Sequence, residues 1–413
     1  MSDAKSTLVD IVIAGASFAG LTAALGFVAT LGPGVRVAVL DRADLAAPSP
    51  ADARAFALSD GSRQLLTALG VWPLLAGAAQ PVAAIDITDS SLDAGVRPII
   101  VSFDNVVDGG RAATHIVPSG ALLCALRARV AEAAAVFLIP RAEIAALETG
   151  AHAAQVRLAD GRAFSASLVI AADGRRSTVR ELAGIKTVGW RYGQTGIVTT
   201  VAHELPHCGR AVQHFLPAGP FAILPLTGNR ACVTWSETEP EAARILGLDD
   251  QGFLAELEQR FGHRLGALAL AGPRQSWPLD MHLARALIGP RIALVADAAH
   301  GAHPIAGQGL NLGLRDVAAL IEVVADTARL GLDLGSALGL ERYQRWRRSD
   351  SALSTAAFDG LNLLFASDWS VSRTLRDAGL GLVDRTPALK RWFVAESAGQ
   401  SGEVPRLLRG ERA

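Results

Sequence analysis

Cysteine is scarce. The 413 residues contain three, Cys124, Cys208 and Cys232, widely separated and without a CxxC pair or a Cys/His ligand spacing. That argues against a disulfide framework and against a zinc site, and it suits a reducing compartment. A basic excess is missing too: 39 Lys and Arg stand against 40 Asp and Glu, for a formal net charge of −1. Nucleic acid is therefore not expected as a partner, because a polyphosphate backbone needs a cationic face. No Ser/His/Asp, Cys/His or paired-carboxylate constellation stands out, and the sequence shows no internal repeat and no low-complexity linker. Charged residues make up only 19% of the chain and hydrophobic ones 50%, so a large core can be buried. The length suggests two or three domain-sized units.

One uncharged run, Ile11 to Leu31, is long enough to span a bilayer. It is interrupted by Gly15, Ser17, Gly20, Thr22 and Gly26, and it has neither a charged n-region nor a cleavage site. A strand, turn and helix explain it better. Val9 to Ala14 is β-branched and apolar, as a parallel strand buried on both faces should be. Phe18 to Leu31 has helical spacing and stops at Gly32-Pro33-Gly34, and Val35 to Leu40 is a second buried strand. This βαβ unit is the usual start of a nucleotide-binding sheet. Further on, Ser59 can cap a helix ending at Gly70, and Ala121 to Ala135 reads as a helix. Ala83–Thr88 and Ile99–Phe103 read as strands. Residues 196–277 are rich in strands, turns and prolines, Leu310 to Val324 is a helix, and the chain from Ser336 onward reads as helical.

Three segments carry chemistry. Gly15-Ala16-Ser17-Phe18-Ala19-Gly20 is a GxGxxG variant between strand and helix, where free N–H groups at the helix start can meet a pyrophosphate. Asp41, followed by Arg42, comes about twenty residues later, where a carboxylate can grip a ribose. Asp173-Gly174 follows the strand Leu168–Ile170, at the strand end where open α/β sheets place ligands. Ala296-Asp297 opens a glycine-punctuated loop through His300, His303, Pro304, Gly307 and Gln308. That loop leads into a helix at Gly309-Leu310-Asn311 whose unpaired N–H groups suit a ring acquiring negative charge. A metal reading of His300 and His303 is weak, since no carboxylate or cysteine lies at a convincing spacing.

In order and spacing these segments resemble the FAD-binding motifs of class A flavoprotein monooxygenases of the para-hydroxybenzoate hydroxylase fold. Within that group the sequence is most similar to the ubiquinone-biosynthesis hydroxylases (UbiH/UbiF type). Asp52-Ala53-Arg54-Ala55-Phe56-Ala57-Leu58-Ser59 with Leu69-Gly70-Val71-Trp72 resembles that family's second block. Phe215 to Leu226 with Trp235 resembles its substrate-domain block. Two departures are Ser17 and Ala296, each standing where the family has glycine. Ser119 stands where relatives often carry a larger polar residue.

The resemblance implies an α/β fold with a Rossmann-like FAD-binding domain, an inserted strand-rich substrate domain and a helical C-terminal region. The expected boundaries are 1–80, 105–185 and 282–345 for the discontinuous FAD-binding domain. The substrate domain, with a mixed β-sheet, takes 81–104 and 186–281, and 346–413 forms the C-terminal region. It also implies non-covalent FAD, NADPH or NADH as co-substrate, and O2 activated as a flavin C4a-hydroperoxide that hydroxylates a polyprenyl phenol. Gly15, Ala16, Ser17, Phe18, Ala19 and Gly20 would hold the pyrophosphate and Asp41 with Arg42 the adenosine side. Arg54 and Asp173 would lie nearby and Asp297 at the ribityl chain. Pro304, Gly307, Gln308, Gly309, Leu310 and Asn311 would line the isoalloxazine. Phe215, Phe221, Ile223, Leu224 and Pro225 are the expected substrate contacts. No catalytic base is assigned, since His203, His207 and His214 have structural readings as well.

The chain is expected to be cytoplasmic, without a signal peptide or a transmembrane helix. Peripheral contact with the inner face of the membrane, and contact with other ubiquinone-biosynthesis proteins, stay open, as does the oligomeric state. Lys390-Arg391-Trp392-Phe393, after an apolar face at Leu353, Ala357, Leu361 and Leu364, reads either as an interfacial anchor or as a helix packing on its own domain. A flavin-dependent prenyl reductase and a non-catalytic prenyl-lipid-binding scaffold are the rival functions.

Overall fold

A computed structural model of the chain describes residues 6–45, 52–89, 92, 97–107, 109–301, 309–348 and 386–413. The chain runs β1 (Ile11–Ala14), α1 (Phe18–Leu31), β2 (Val37–Leu40), β3 (Ala55–Ser59), α2 (Asp60–Ala68), β4 (Ala84–Asp89) and β5 (Val101–Asp104). Then follow β6 (Thr114–Pro118), β7 (Val136–Ile139), β8 (Leu168–Ala171), β9 (Thr187–His203), β10 (Arg210–Leu216), β11 (Gly219–Leu226) and β12 (Arg230–Thr238). The remainder is α3 (Glu239–Leu246), α4 (Asp250–Phe261), β13 (Gln275–Ala284), β14 (Ile292–Leu294), α5 (Gly309–Arg329) and α6 (Pro387–Ser397), with further elements between, among them the helix Ser119–Ala131.

Two sheets organise the molecule. The first has the order β7-β2-β1-β8-β14, all parallel, with the short antiparallel strand Ile288–Gly289 at its edge. Every residue of β1, β2, β8 and β14 is buried, which is why these strands read as unbroken apolar runs rather than alternating ones. Helix α1 packs against α5 so closely that a Cβ on Gly26 would come within 2.2 Å of Ile321 Cδ1. It ends where Gly32 turns to φ +89°, a conformation only glycine adopts without strain.

The second sheet has nine strands and mixed direction. Its order is the short strand His300–Gly301, then β13, β9, β12, β11, β10, β4 and β5, with Leu268–Leu270 pairing β9. Only β10 and β4 run parallel. Strands from residues 84–104 thus join those from 187–284 in one sheet.

Helices α3 and α4 cover one face of this sheet, within a stretch whose sequence reads as strands and turns. Pro240 falls in the first turn of α3, where a missing N–H costs nothing. Asp249 caps α4 by accepting from Gly252 N at 2.8 Å.

The last part of the chain departs from the helical expectation. Residues 337–348 are helical, and α6 packs on β5 through Lys390 Nζ, which donates to the Ser102 carbonyl at 3.1 Å, and through Phe393 against Phe103. Beyond α6 only the short 3-10 turn Arg406–Arg409 is regular. Leu407, Leu408 and Ala413 are buried in the same core as β1 and α5. Leu353, Ala357, Leu361 and Leu364 lie outside the described residues. No described helix is long and apolar enough to cross a membrane.

Candidate flavin site

The three chemical segments converge because their strands are neighbours. β1, β8 and β14 lie side by side and parallel, so the turns after Ala14, Ala171 and Leu294 leave the sheet at the same edge. That edge is where open α/β sheets bind ligands.

Steric demand shapes the first turn. Gly15 has φ +103°, and a Cβ there would lie 2.3 Å from the Ala172 carbonyl oxygen. A Cβ on Gly20 would lie 1.9 Å from the Gly15 carbonyl oxygen. Neither position tolerates a side chain. Ser17, by contrast, has φ −107°, an ordinary extended value, so serine in place of the family's glycine causes no backbone strain there. It is the N-cap residue of α1 but makes no side-chain cap. Ala16 N is taken by Asp41 Oδ2 at 2.7 Å, while Asp41 Oδ1 accepts from Ala43 N at 2.8 Å. Asp41 thus braces the turn, and Arg42 beside it is exposed.

Asp173 abuts this turn. Its Oδ2 accepts from Val179 N at 3.2 Å, but its Oδ1 is buried with no hydrogen-bond partner among the described residues. Burial pushes the Asp173 carboxyl above its usual value, against the opposing pull of hydrogen bonds from Ser177 and the nearby backbone. A buried acceptor without a donor is costly, and a ligand hydroxyl arriving at the strand edge would satisfy it. The residues present therefore fit a nucleotide cofactor.

Around the start of α1, Phe18 meets Phe56 edge-on at 4.9 Å. Arg54 pairs with Asp52 (Nη2 to Oδ2, 2.8 Å), and Ser119 Oγ donates to the same carboxylate at 2.5 Å. The Arg54 guanidinium also lies over the Trp277 ring, 5.1 Å from its centre. Since Trp277 belongs to β13, Arg54 links the segment before β3 to the second sheet.

At the third segment Ala296 has φ +52°, which accounts for the family's glycine here: this chain places an L-residue in the left-handed region. Asp297 follows with an exposed carboxylate, 3.9 Å from Arg175 Nε, and Arg175 also pairs with Asp280 of β13. His282 of β13 approaches the Asp297 carbonyl through Nε2 at 2.9 Å. Arg175 belongs to the second segment, Ala171 to Arg180, whereas Asp280 and His282 carry no sequence signal of their own. Only their contacts across the two sheets mark them.

Gly309 and Leu310 begin α5, and Asn311 is buried beside them. The Asn311 side chain donates to Ala57 O and accepts from Ser59 N and Ser62 Oγ. Those bonds tie α5 to β3 and α2. Pro304, Gly307 and Gln308, with His303, lie outside the described residues. His300 Nε2 donates to Asp316 at 2.6 Å.

The expected substrate residues divide between the two faces of the second sheet. Leu224 packs with Val198, Ala211, Cys232 and Trp277 on the face toward the flavin-side layer, and strand alternation puts Phe215 with Ala211 on that face. Phe221 and Ile223 point the other way, into the core formed with α3 and α4, and alternation puts Pro225 with them. Phe221 and Pro225 are therefore corrected from substrate contacts to core, and Ile223 points away from the flavin-side layer to the edge of the cavity on that side. The cause is the two helices, which give that face its own apolar cover.

A cavity of about 540 Å³ opens on the helix-covered side, lined among others by Arg97, Arg210, His214, Ile223 and Arg264. It is remote from the strand edge. Arg210 and Arg264 are held by the buried Asp86, and Arg97 donates to the carbonyls of Gln259 and Arg260.

A family model described as an FAD binding domain matches residues 8–350. The chain is 41% identical over 408 residues to a ubiquinone hydroxylase, UbiL, of Rhodospirillum rubrum, covering 97% of this chain and 92% of that protein. It is 32% identical over 396 residues to the 3-demethoxyubiquinol 3-hydroxylase of Escherichia coli, covering 94% and 98%. Among solved structures, a p-nitrophenol 4-monooxygenase, PnpA, from Pseudomonas putida superimposes with a TM-score of 0.78 at 19% identity, over 97% of this chain and all of that one. Its low identity supports the fold alone. The chain belongs to the FAD-binding hydroxylase family that contains these ubiquinone-biosynthesis enzymes.

Proposed function

We propose that this protein is an FAD-dependent aromatic hydroxylase whose substrate is a polyprenyl phenol of ubiquinone biosynthesis, with NAD(P)H as reductant and O2 as the oxygen source. One observation carries the reading. The strand-edge site has two glycines that tolerate no side chain and a buried Asp173 Oδ1 without a partner among the described residues, as a nucleotide cofactor's site would, and the second sheet carries an apolar cluster around Leu224. The Arg54 guanidinium, which lies over Trp277 of that sheet, is paired with Asp52. Relatives named as ubiquinone-pathway hydroxylases support the same reading.

Bound FAD would supply the redox chemistry, while the chain binds, orients and excludes water. The open N-terminus of α1 would meet the pyrophosphate, with Asp41 at the adenosine ribose. Asp297 would accept from ribityl hydroxyls, and Asp173 Oδ1 would accept from a cofactor hydroxyl at the same edge. Phe215 and Leu224 would bear on the substrate ring and the first part of its tail. Burying each tail CH2 contributes about 0.8 kcal/mol, against about 1 kcal/mol net for a ring hydroxyl's hydrogen bond. Tail length should therefore dominate affinity until the tail leaves the protein.

The test is NAD(P)H oxidation, oxygen uptake and hydroxylated product, measured together for matched phenols bearing zero to three isoprene units. Efficiency should rise steeply with tail length. A tail-less phenol hydroxylated as well as the longest would remove the lipid-substrate reading and leave the hydroxylase. NAD(P)H oxidation with a reduced prenyl chain and no oxygen uptake would mean a reductase.

A further inference from the structure

Behind the turn that carries Asp297 lies a fully buried cluster. Asp316 of α5 has no exposed surface, and neither does Arg347 of the 337–348 helix. Asp316 Oδ2 accepts from Ala296 N at 3.0 Å and from His300 Nε2 at 2.6 Å, while its Oδ1 accepts from Arg347 Nε at 2.7 Å. Tyr343, one turn before Arg347, donates its hydroxyl to the Leu294 carbonyl at 2.7 Å, at the end of β14. Gly313, one turn before Asp316, leaves room for the Ala296 methyl: a Cβ there would come within 2.6 Å of it.

These contacts surround Ala296, whose φ of +52° disfavours it by a factor of about ten or more relative to an ordinary backbone conformation. Without the carboxylate, the Ala296 N–H would lose its acceptor and the turn would relax. Asp297, the next residue, would then be turned away from the strand edge. An ion pair serving stability alone could be exchanged for apolar residues. This one aims an acceptor at the N–H of the strained residue itself.

We propose that Asp316 is a positioning residue for the flavin. It holds Ala296 in the left-handed turn that presents Asp297, and Arg347 fixes the carboxylate in place, so the helix at 337–348 takes part in cofactor retention. The inference rests on the assignment of Asp297 to the cofactor made above. Asparagine cannot substitute, because two carboxylate oxygens accept here and the amide has only one acceptor.

The experiment compares FAD binding by apoprotein of the wild type, Asp316→Asn, Ala296→Gly, the double variant and Asp297→Ala. Dissociation constants come from flavin fluorescence, and visible spectra report the ring environment. Asp316→Asn should weaken FAD about tenfold or more, and Ala296→Gly in the same chain should restore affinity to within about threefold, because glycine adopts the turn unaided. The flavin spectrum should move toward that of free FAD in the single variant and return in the double. Wild-type affinity in Asp316→Asn while Asp297→Ala is weakened would overturn the positioning role alone. So would a loss that glycine does not repair, which would indicate general core damage. Wild-type affinity in Asp297→Ala would sink the assignment of Asp297, and this proposal with it. If Asp316→Asn yields no folded apoprotein, Arg347→Lys is titrated in its place. Weakening repaired by Ala296→Gly supports the proposal, and unchanged affinity overturns it.

Discussion

Neighbours on one strand of the second sheet lead different lives. Phe221 is fully buried, with its ring against His214, Trp235 and Phe261, under the cover of α3 and α4. Leu224, three residues on, is only half-buried and looks toward the flavin-side layer. One face of the sheet packs against its two helices, with a cavity beside His214 and Ile223. The other packs Val198, Ala211, Leu226 and Cys232 against Ala53, Ala57, Val82 and Ile116, with Leu224 only partly covered. Apolar character alone therefore does not tell a substrate surface from core.

The sharpest way to break this comparison is to truncate both residues. Phe221→Ala should cost about 3–5 kcal/mol of stability by emptying a packed core, read as a lowered unfolding midpoint. If it instead leaves the midpoint unchanged and alters substrate KM, the two faces have been assigned the wrong way round.

His214 offers a pH test of the covered face. Burial, with Arg97 and Arg264 nearby, pushes its pKa down to about 4. The folded value lies below the unfolded one of about 6.5, so the native state binds fewer protons between the two. The stability tied to this group is present above about pH 6.5 and is lost as pH falls toward 4, by up to about 3 kcal/mol. His214→Gln should flatten that part of the stability profile, measured by denaturant unfolding at stepped pH. An unchanged slope would mean the ring is reached by water.

Leu224→Ala should barely move the unfolding midpoint. It should raise KM for the longest-tailed phenol by about fivefold, consistent with losing part of a Leu burial. An equal KM change for the tail-less phenol would place Leu224 at the ring instead of the tail.

The smallest effect expected is chemical. Cys232 lies on the flavin-facing side but is fully buried, and burial raises its thiol to about 12. Alkylation of the native protein should modify the exposed Cys124 and Cys208 and spare Cys232. Early labelling of Cys232 would reveal that the junction between the two layers opens.

Much of the flavin-side layer is legible in the sequence because its causes are local. Unbroken apolar runs give β1, β2 and β8, and Gly15 and Gly20 mark a turn that sterics alone dictate. The substrate sheet is less legible. Phe221 to Leu226 is apolar at every position, so nothing in the strand says which face is covered. The covering helices α3 and α4 are obscured by Pro240 and Gly247, which read as turn residues. At the third segment, the residues that shape the turn sit far along the chain. Asp316, Arg347, Asp280 and His282 are unremarkable one by one and acquire meaning only through contacts that no spacing encodes.

The burial of the chain's far end bears on how the protein is made. The core around Ile11–Ala14 contains Leu407 and Leu408, and the Ala413 carbonyl accepts from Arg329. Nearly the whole chain separates those residues from the strand they help enclose. At about 5–20 residues per second, the ribosome would need roughly 20–80 s to deliver one after the other. For that interval the most apolar strands of the molecule lack part of their cover, and such species are prone to aggregate. Closure of so long a loop also slows the search for the native contacts. A chaperone that shields nascent apolar segments should thus raise the yield of this protein.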